Sequence, residues 1–287
     1  MGNLDTGSNY AYHTLAYLPA GHSLFASCNN IYTRTLRREI CKRTLIVIGL
    51  TSPEHIVSCS ANQCLYALDW VYRGLSCEIL RIDSYNGKVV KNWETCEGGG
   101  RLSVGSDTNV IFNIDKRAQL NEYTADGDFL RMINLTSGTN IVRAWHSLKL
   151  DSGLFVVCHD KWRRICLLSI KDSSELAQHR FDTEVLTTFG GECEHRMNVV
   201  FLRCPMYLAV DKDGLILVCD SIAKRILVLN SCLEKQRDLA PNENTVLSPW
   251  RVCIDESKGR YLVAENKRIL SCKKLSDGNL DWRTLLG

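Results

Sequence analysis

The sequence predicts an all-β fold, a six-bladed β-propeller of four-stranded antiparallel blades, on three observations. Apolar and polar residues alternate in short runs. Gly, Asp and Asn punctuate those runs. The run-and-turn unit recurs along the 287 residues at the interval of a propeller blade. No stretch keeps a helical apolar period long enough to read as a helix.

The first unit, with apolar runs at 15–18 and 23–26, is the most degenerate. The second has runs at 55–58, 64–69 and 79–83 and a turn at Asn86 and Gly87. The third has runs at 101–104, 110–112 and 120–124 and closes through Asp126 and Gly127, a pair that favours hairpins. The fourth runs over 146–151, 153–158 and 164–168. The fifth is the clearest, with a segment at 205–214, runs at 215–220 and 225–229 and a polar strand near 234–239. The sixth repeats it at 250–255, 261–265 and 268–272, with Gly259 serving the turn that Gly214 serves before it. The leading strands begin their apolar runs at Leu15, Ile56, Leu102, Leu148, Leu208 and Val252, at spacings of 41, 46, 46, 60 and 44 residues. One domain over 1–287 follows, with blades starting near 14, 55, 101, 147, 207 and 251. The long interval holds an insertion at about 182–203, rich in Gly, Glu and charge, expected as a loop between blades. A lone blade cannot bury both faces, so the repeats must pack radially.

Composition narrows the function. Hydrophobic residues make up 45% and charged residues 23%, with five prolines, enough to bury a core throughout. A net charge of +3 is too small to hold nucleic acid or membrane by bulk electrostatics. Apolar runs such as 215–219 are strand-sized, so no transmembrane segment is expected. Residues 1–6 carry no basic stretch followed by an apolar one, so a cytoplasmic chain is expected; Gly2 with Thr6 matches only the loose myristoylation pattern. Fourteen cysteines contain no CxxC pair, against a zinc ribbon or RING. Cys158, Cys166, Cys219, Cys253 and Cys272 lie in apolar runs and are expected as reduced, buried thiols.

Pro205, the Asp211-Lys-Asp213-Gly214 turn, Val218-Cys-Asp220 and Arg225-Ile-Leu-Val228 together resemble an NHL repeat. The next blade keeps Pro249 and Arg268-Ile269, with Glu265 in place of the aspartate. Residues 65–70, Leu-Tyr-Ala-Leu-Asp-Trp, are similar to the YWTD motif of low-density-lipoprotein-receptor propellers, from which Ala67 and Leu68 depart. The resemblance implies six NHL- or TolB-like blades. NHL propellers commonly form the C-terminal part of tripartite-motif ligases, so it also implies a recognition end rather than a ligase module.

In a propeller the innermost strands line a central channel. The residue pairs before them here are His13-Thr14, Glu54-His55, Gly100-Arg101, His146-Ser147, Met206-Tyr207 and Trp250-Arg251. His, Arg, Tyr and Trp at a concave rim anchor polar partners. The expected contact surface is His146, His159, Lys161, Trp162, Arg163, Tyr207, Trp250 and Arg251, in loops flanking the inner strands. The function expected is a monomeric, non-catalytic scaffold for a protein or peptide, with no cofactor and no metal.

Single-stranded RNA is the alternative partner. It would use Arg34, Arg37, Arg38, Lys42 and Arg43, with Trp162 as a stacking surface, although Glu39 interrupts that cluster and a solvated basic edge is the preferred account of it. A metal-dependent propeller hydrolase or lyase is the second alternative, and it would need carboxylates or several histidines converging on the channel. His13, His55 and His146 stand at unequal offsets from their strands, and Asp69, Asp220 and Glu265 read as turn caps. Gly98 to Gly100 lacks the Lys-Ser/Thr of a phosphate loop, and no Gly-x-Ser-x-Gly elbow is present.

Overall fold

The structure is a computed structural model that describes residues 14–18, 22–27, 30–35, 43–46, 50, 53–71, 76–95, 99–114, 117–136, 141, 143–159, 163–171, 179–191, 201–239, 245–255, 258–265, 269–274 and 280–286. Its strands follow in order as antiparallel meanders. The first contains β1 (Thr14–Leu18), β2 (His22–Ser27), β3 (Asn30–Thr35) and β4 (Arg43–Ile46), and the second β5 (Pro53–Cys59), β6 (Cys64–Val71), β7 (Ser76–Asp83) and β8 (Val89–Glu94). Next come β9 (Gly100–Val104), β10 (Val110–Ile114), β11 (Gln119–Tyr123) and β12 (Phe129–Asn134), then β13 (Ala144–Lys149), β14 (Phe155–His159), β15 (Arg164–Lys171) and β16 (Arg180–Gly190). The last two are β17 (Pro205–Val210), β18 (Ile216–Asp220), β19 (Arg225–Leu229), β20 (Lys235–Asp238), and β21 (Arg251–Asp255), β22 (Arg260–Ala264), β23 (Ile269–Lys274), β24 (Leu280–Leu286). Four of the meanders are separate four-stranded sheets. The other two fuse into one eight-stranded sheet, where β12 pairs with β16 in parallel through 132–134 and 180–182.

The leading strands pack side by side around an axis. β5 meets β9, β9 meets β13, β13 meets β17, β17 meets β21, and β1 meets both β21 and β5. Sheets set radially about a channel make this a β-propeller.

Burial explains why the repeats were audible in the sequence. β10, β14 and β18 are buried along their whole length, and strands covered on both faces read as continuous apolar runs. The core is a series of layers between successive meanders. Tyr66, Leu68 and Ile79 pack on Leu102, Phe112 and Tyr123; Ile111 and Leu120 pack on Phe155 and Val157; Val156 and Ile165 on Leu208 and Val218; Leu217 and Ile226 on Val252 and Val263. In these four layers each blade face is buried by its neighbour. Among the described residues no helix is long and apolar enough to cross a membrane. The ten described cysteines are free thiols, and those in the strands are buried or half-buried.

The insertion expected at 182–203 is corrected in its first half. Residues 180–190 form β16, in which Thr183, Val185, Thr187 and Phe189 alternate with residues of the opposite face. Residues 192–200 lie outside the described set.

The hairpin turn at Asp126 and Gly127 docks on the preceding meander. Tyr66 Oη donates to the Ala125 carbonyl at 3.0 Å, Arg81 pairs with Asp126, and Trp93 lies over Gly127. Gly127 has φ +89°, and a Cβ there would lie 2.6 Å from the Trp93 ring. Gly127→Ala is expected to lower stability by about 1–2 kcal/mol, through left-handed backbone strain and the ring's displacement. A urea titration with Trp fluorescence checks it; an unchanged midpoint would show that the turn is not held in this conformation.

Candidate functional site

One rung of the inner strands gathers polar side chains in the channel. β5, β13 and β17 each carry a bulge near the start, between Pro53 and His55, Ala144 and His146, and Pro205 and Tyr207. A bulge re-aims the side chain that follows it. His55, His146 and Tyr207 then pair with Leu68, Cys158 and Cys219 at matching ladder positions, and Arg101 and Arg251 take the corresponding places opposite Asn113 and Ala264.

The rings meet. The centroids of His55 and His146 are 5.9 Å apart, those of His55 and Tyr207 6.0 Å, and those of His146 and Tyr207 4.0 Å. The Arg251 guanidinium lies 5.3 Å from the Tyr207 centroid, and that of Arg101 4.9 Å from the Trp145 ring. His55 and His146 are each 1% exposed. Burial, and then the guanidinium charges of Arg251 and Arg101, hold both imidazoles well below their ordinary pKa, so they are neutral at pH 7. Burial lowers Arg251 to about 10, which leaves it charged. A cavity of about 210 Å³ runs from His146 and Tyr207 between the inner strands, lined by Ser103, Leu148 and Val252. It reaches the half-exposed Val57, Ser58, Val104 and Ile254 near the strands' C-terminal ends.

This corrects the location expected for part of the contact surface. His146 and Tyr207 stand inside β13 and β17 and Arg251 opens β21; all three are buried, not displayed in loops. Bulges in β13 and β17 turn His146 and Tyr207 into the channel, and Arg251 joins them from the regular ladder of β21 and β22. His159 ends β14 fully buried, at the ladder position that Asp69 and Asp220 hold in their own meanders. Trp250 and Arg163 are exposed, as expected of loop residues. Lys161 and Trp162 lie outside the described residues, as do Arg37, Arg38 and Lys42. Arg34 and Arg43 face each other across β3 and β4, but their side chains are outside the described set.

The carboxylates cap turns. Asp220 accepts hydrogen bonds from the Arg203 and Cys204 amides, and Glu265 from those of Leu247 and Ser248. Among the described residues, no three His, Cys, Asp or Glu side chains gather as metal ligands would.

These caps also shape a surface the sequence did not reveal. Phe201, Ile222, Leu247 and Trp250 are 54%, 60%, 50% and 41% exposed, and all lie in segments joined by hydrogen bonds. Ser221 Oγ and Ser248 Oγ are 2.9 Å apart, the Ser221 amide donates to the Cys204 carbonyl, and Arg225 donates to that of Phe201. Large apolar side chains in loops follow no period, so nothing in the pattern marks them. The available signal was their position beside the caps Asp220 and Glu265.

No known protein family matches the chain, and neither does any curated protein. Solved structures do. The WD40 β-propeller domain of Doa1 is similar with a TM-score of 0.62 at 13% identity, over 98% of this chain and 84% of that one. Virginiamycin B lyase from Staphylococcus aureus is similar with a TM-score of 0.59 at 12% identity, over 97% and 85%. The periplasmic gluconolactonase of Pseudomonas aeruginosa is similar with a TM-score of 0.59 at 9% identity, over 96% and 84%. Identities this low carry no common function. What the neighbours share with this chain is its architecture, a β-propeller.

Proposed function

We propose that this is a six-bladed, NHL-type propeller that recognises a protein or peptide without catalysis, on the face carrying Trp250. Six blades are supported by the six consecutive meanders and by the contacts of β1 with both β5 and β21. The NHL reading is supported by the parts its motif residues play: Asp220 of Val218-Cys-Asp220 caps the segment before its blade, and Arg225 of Arg225-Ile-Leu-Val228 closes on it. Free thiols along the strands accord with a reducing, cytoplasmic setting.

The observation that carries the function is the patch of Phe201, Ile222, Leu247 and Trp250. Exposed apolar side chains that include a tryptophan, in segments tied together by hydrogen bonds and with Arg203 exposed near Phe201 in sequence, have the composition of a protein-binding hot spot. A propeller with a WD40 domain among its structural neighbours is a natural frame for such a surface. The neighbours also include enzymes; among the described residues the channel rung brings together guanidiniums and neutral imidazoles.

Peptides selected from a displayed random library against the full chain, with nuclease present, test this reading. Their affinity should fall about tenfold or more in Ile222→Asp and Leu247→Asp and hold in Tyr85→Asp, an exposed site elsewhere. Peptides indifferent to the first two substitutions would refute the assignment of the face.

A further inference from the structure

The channel rung contains more hydrogen-bond donors than partners. His55 Nδ1 accepts from the Leu102 amide at 3.3 Å, so Nε2 bears the ring proton, and that Nε2 has no partner. Neither ring nitrogen of His146 makes a hydrogen bond of good geometry, although the Leu102 backbone lies close enough to favour its charged form. Arg251 Nη1, Arg101 Nε and Ser103 Oγ are also buried without partners. Buried polar atoms are almost always paired, and a missing pair asks for an explanation. Here five residues on four strands lack one in the same small region.

The charge there is unbalanced as well. Arg101 and Arg251 repel each other and both act on the two imidazoles. The carboxylate that acts on Arg251 is Glu54, and it already accepts from the Gly100 amide at 3.2 Å. Among the described residues, Arg251 is thus opposed by one carboxylate and stands near a second guanidinium, that of Arg101. An uncompensated buried cation is costly, and charge-assisted hydrogen bonds to an oxyanion are the strongest remedy available to Arg. The cavity of about 210 Å³ supplies the room, with His146, Tyr207 and Ser103 at its inner end and a way out past Ser58.

We infer that the inner end of this cavity is a binding site for an oxyanion of the carboxylate or phosphate class, seated against His146, Tyr207 and Ser103 and attracted by Arg101 and Arg251. The site opens among the C-terminal ends of the inner strands, whereas Trp250 precedes the N-terminus of one, so it is distinct from the apolar patch. Binding takes up a proton. The groups around the imidazoles are Glu54, Arg101, Arg251, Tyr207, Cys158 and Cys253. Burial pushes Tyr207 up and the two thiols up to about 12, so these three stay neutral. An anion removes the penalty that the guanidiniums place on a charged imidazole. The imidazole pKa then rises, and affinity increases as pH falls.

Calorimetry on the full chain tests this with two ligands, sodium sulfate and a blocked hexaglutamate peptide, each against sodium chloride at equal ionic strength, with the histidine ring nitrogens followed by NMR. Sulfate does not titrate near neutrality, so any pH dependence belongs to the protein. The expected result is saturable, one-to-one sulfate binding that chloride does not reproduce. It should tighten by up to about tenfold for each pH unit lowered per proton taken up. The rings of His55 and His146 should move toward the doubly protonated form, and Arg101→Gln and Arg251→Gln should each weaken binding by about tenfold or more. Tighter binding of the peptide would identify the anion as one carried by a partner; sulfate binding alone would identify a free small oxyanion. Sulfate indistinguishable from chloride, with the histidine resonances of the unmodified chain unmoved, would overturn the assignment even if a variant failed to fold. Ile222→Asp should leave sulfate binding intact, which separates this site from the partner face.

Discussion

Asp220→Ala should lower the unfolding free energy by about 3 kcal/mol, read as an earlier urea midpoint at unchanged slope. Asp220 ends β18 fully buried. One carboxylate oxygen accepts from the Arg203 and Cys204 amides at 3.0 and 2.7 Å, and the other takes Arg225 Nε and Nη2 at 3.2 and 3.1 Å. Alanine leaves two amides without their acceptor and the guanidinium with only the Phe201 carbonyl, and this unmet desolvation dominates the loss. The Arg225 side chain is 21% exposed and can turn to water, which keeps the cost at the lower end of that for a broken buried pair. Asp220→Asn, which retains one acceptor oxygen, should lose about half as much. The effect should reach function too. The same clamp holds the segment of Phe201, so peptides selected on that face should bind Asp220→Ala more weakly even where it is folded. A loss no larger than the roughly 0.5 kcal/mol of an ordinary surface change would show that the clamp does not hold the blade.

The fifth repeat shows why so much of the fold was legible. The segment 205–214 became β17 and its turn, and the runs at 215–220 and 225–229 became β18 and β19. Blades cover each other's faces, so their middle strands must be apolar on both sides, and the turns between them need residues such as Asp211 and Gly214. Asp211 Oδ1 accepts from the Asp213 and Leu215 amides, and Gly214 sits at φ +75°. β16 was illegible for the complementary reason. It is a half-exposed outer strand on β15, alternating without a strong apolar run, and its short parallel pairing with β12 some fifty residues away leaves no local mark.

The channel rung was half legible. His146, Tyr207 and Arg251 were singled out by residue type, but His146 and Tyr207 are aimed inward by bulges, which a hydropathy pattern does not encode. His55 and Arg101 stood in the same row of residue pairs and were left out of the contact surface. The patch was missed because isolated Phe, Ile and Leu in loops look like any others until their loops are seen to be tied together.

Glu122→Gln should cost about 2–3 kcal/mol near neutral pH, and the cost should shrink in acid. Glu122 sits in the middle of β11, where the sequence read 120–124 as an ordinary strand. It is 1% exposed, yet Oε1 accepts from Lys149 at 2.5 Å and Asn109 at 2.9 Å, and Oε2 from Arg131 at 2.6 Å. It thereby joins its own blade, through β12, to the next blade's β13. Burial works to raise its pKa, but Lys149, Asn109 and Arg131 outweigh that and hold it below the usual carboxylate range. A carboxyl whose folded pKa is depressed contributes stability that is fully present above its unfolded value. That stability is lost as pH falls from about 4.3 through the lower folded value. The wild-type chain should therefore lose stability through that window while Glu122→Gln, with no charge to lose there, loses less, and their urea midpoints should converge. Midpoints that stay equally far apart in acid would place the cost in packing and not in the charge that links the two blades.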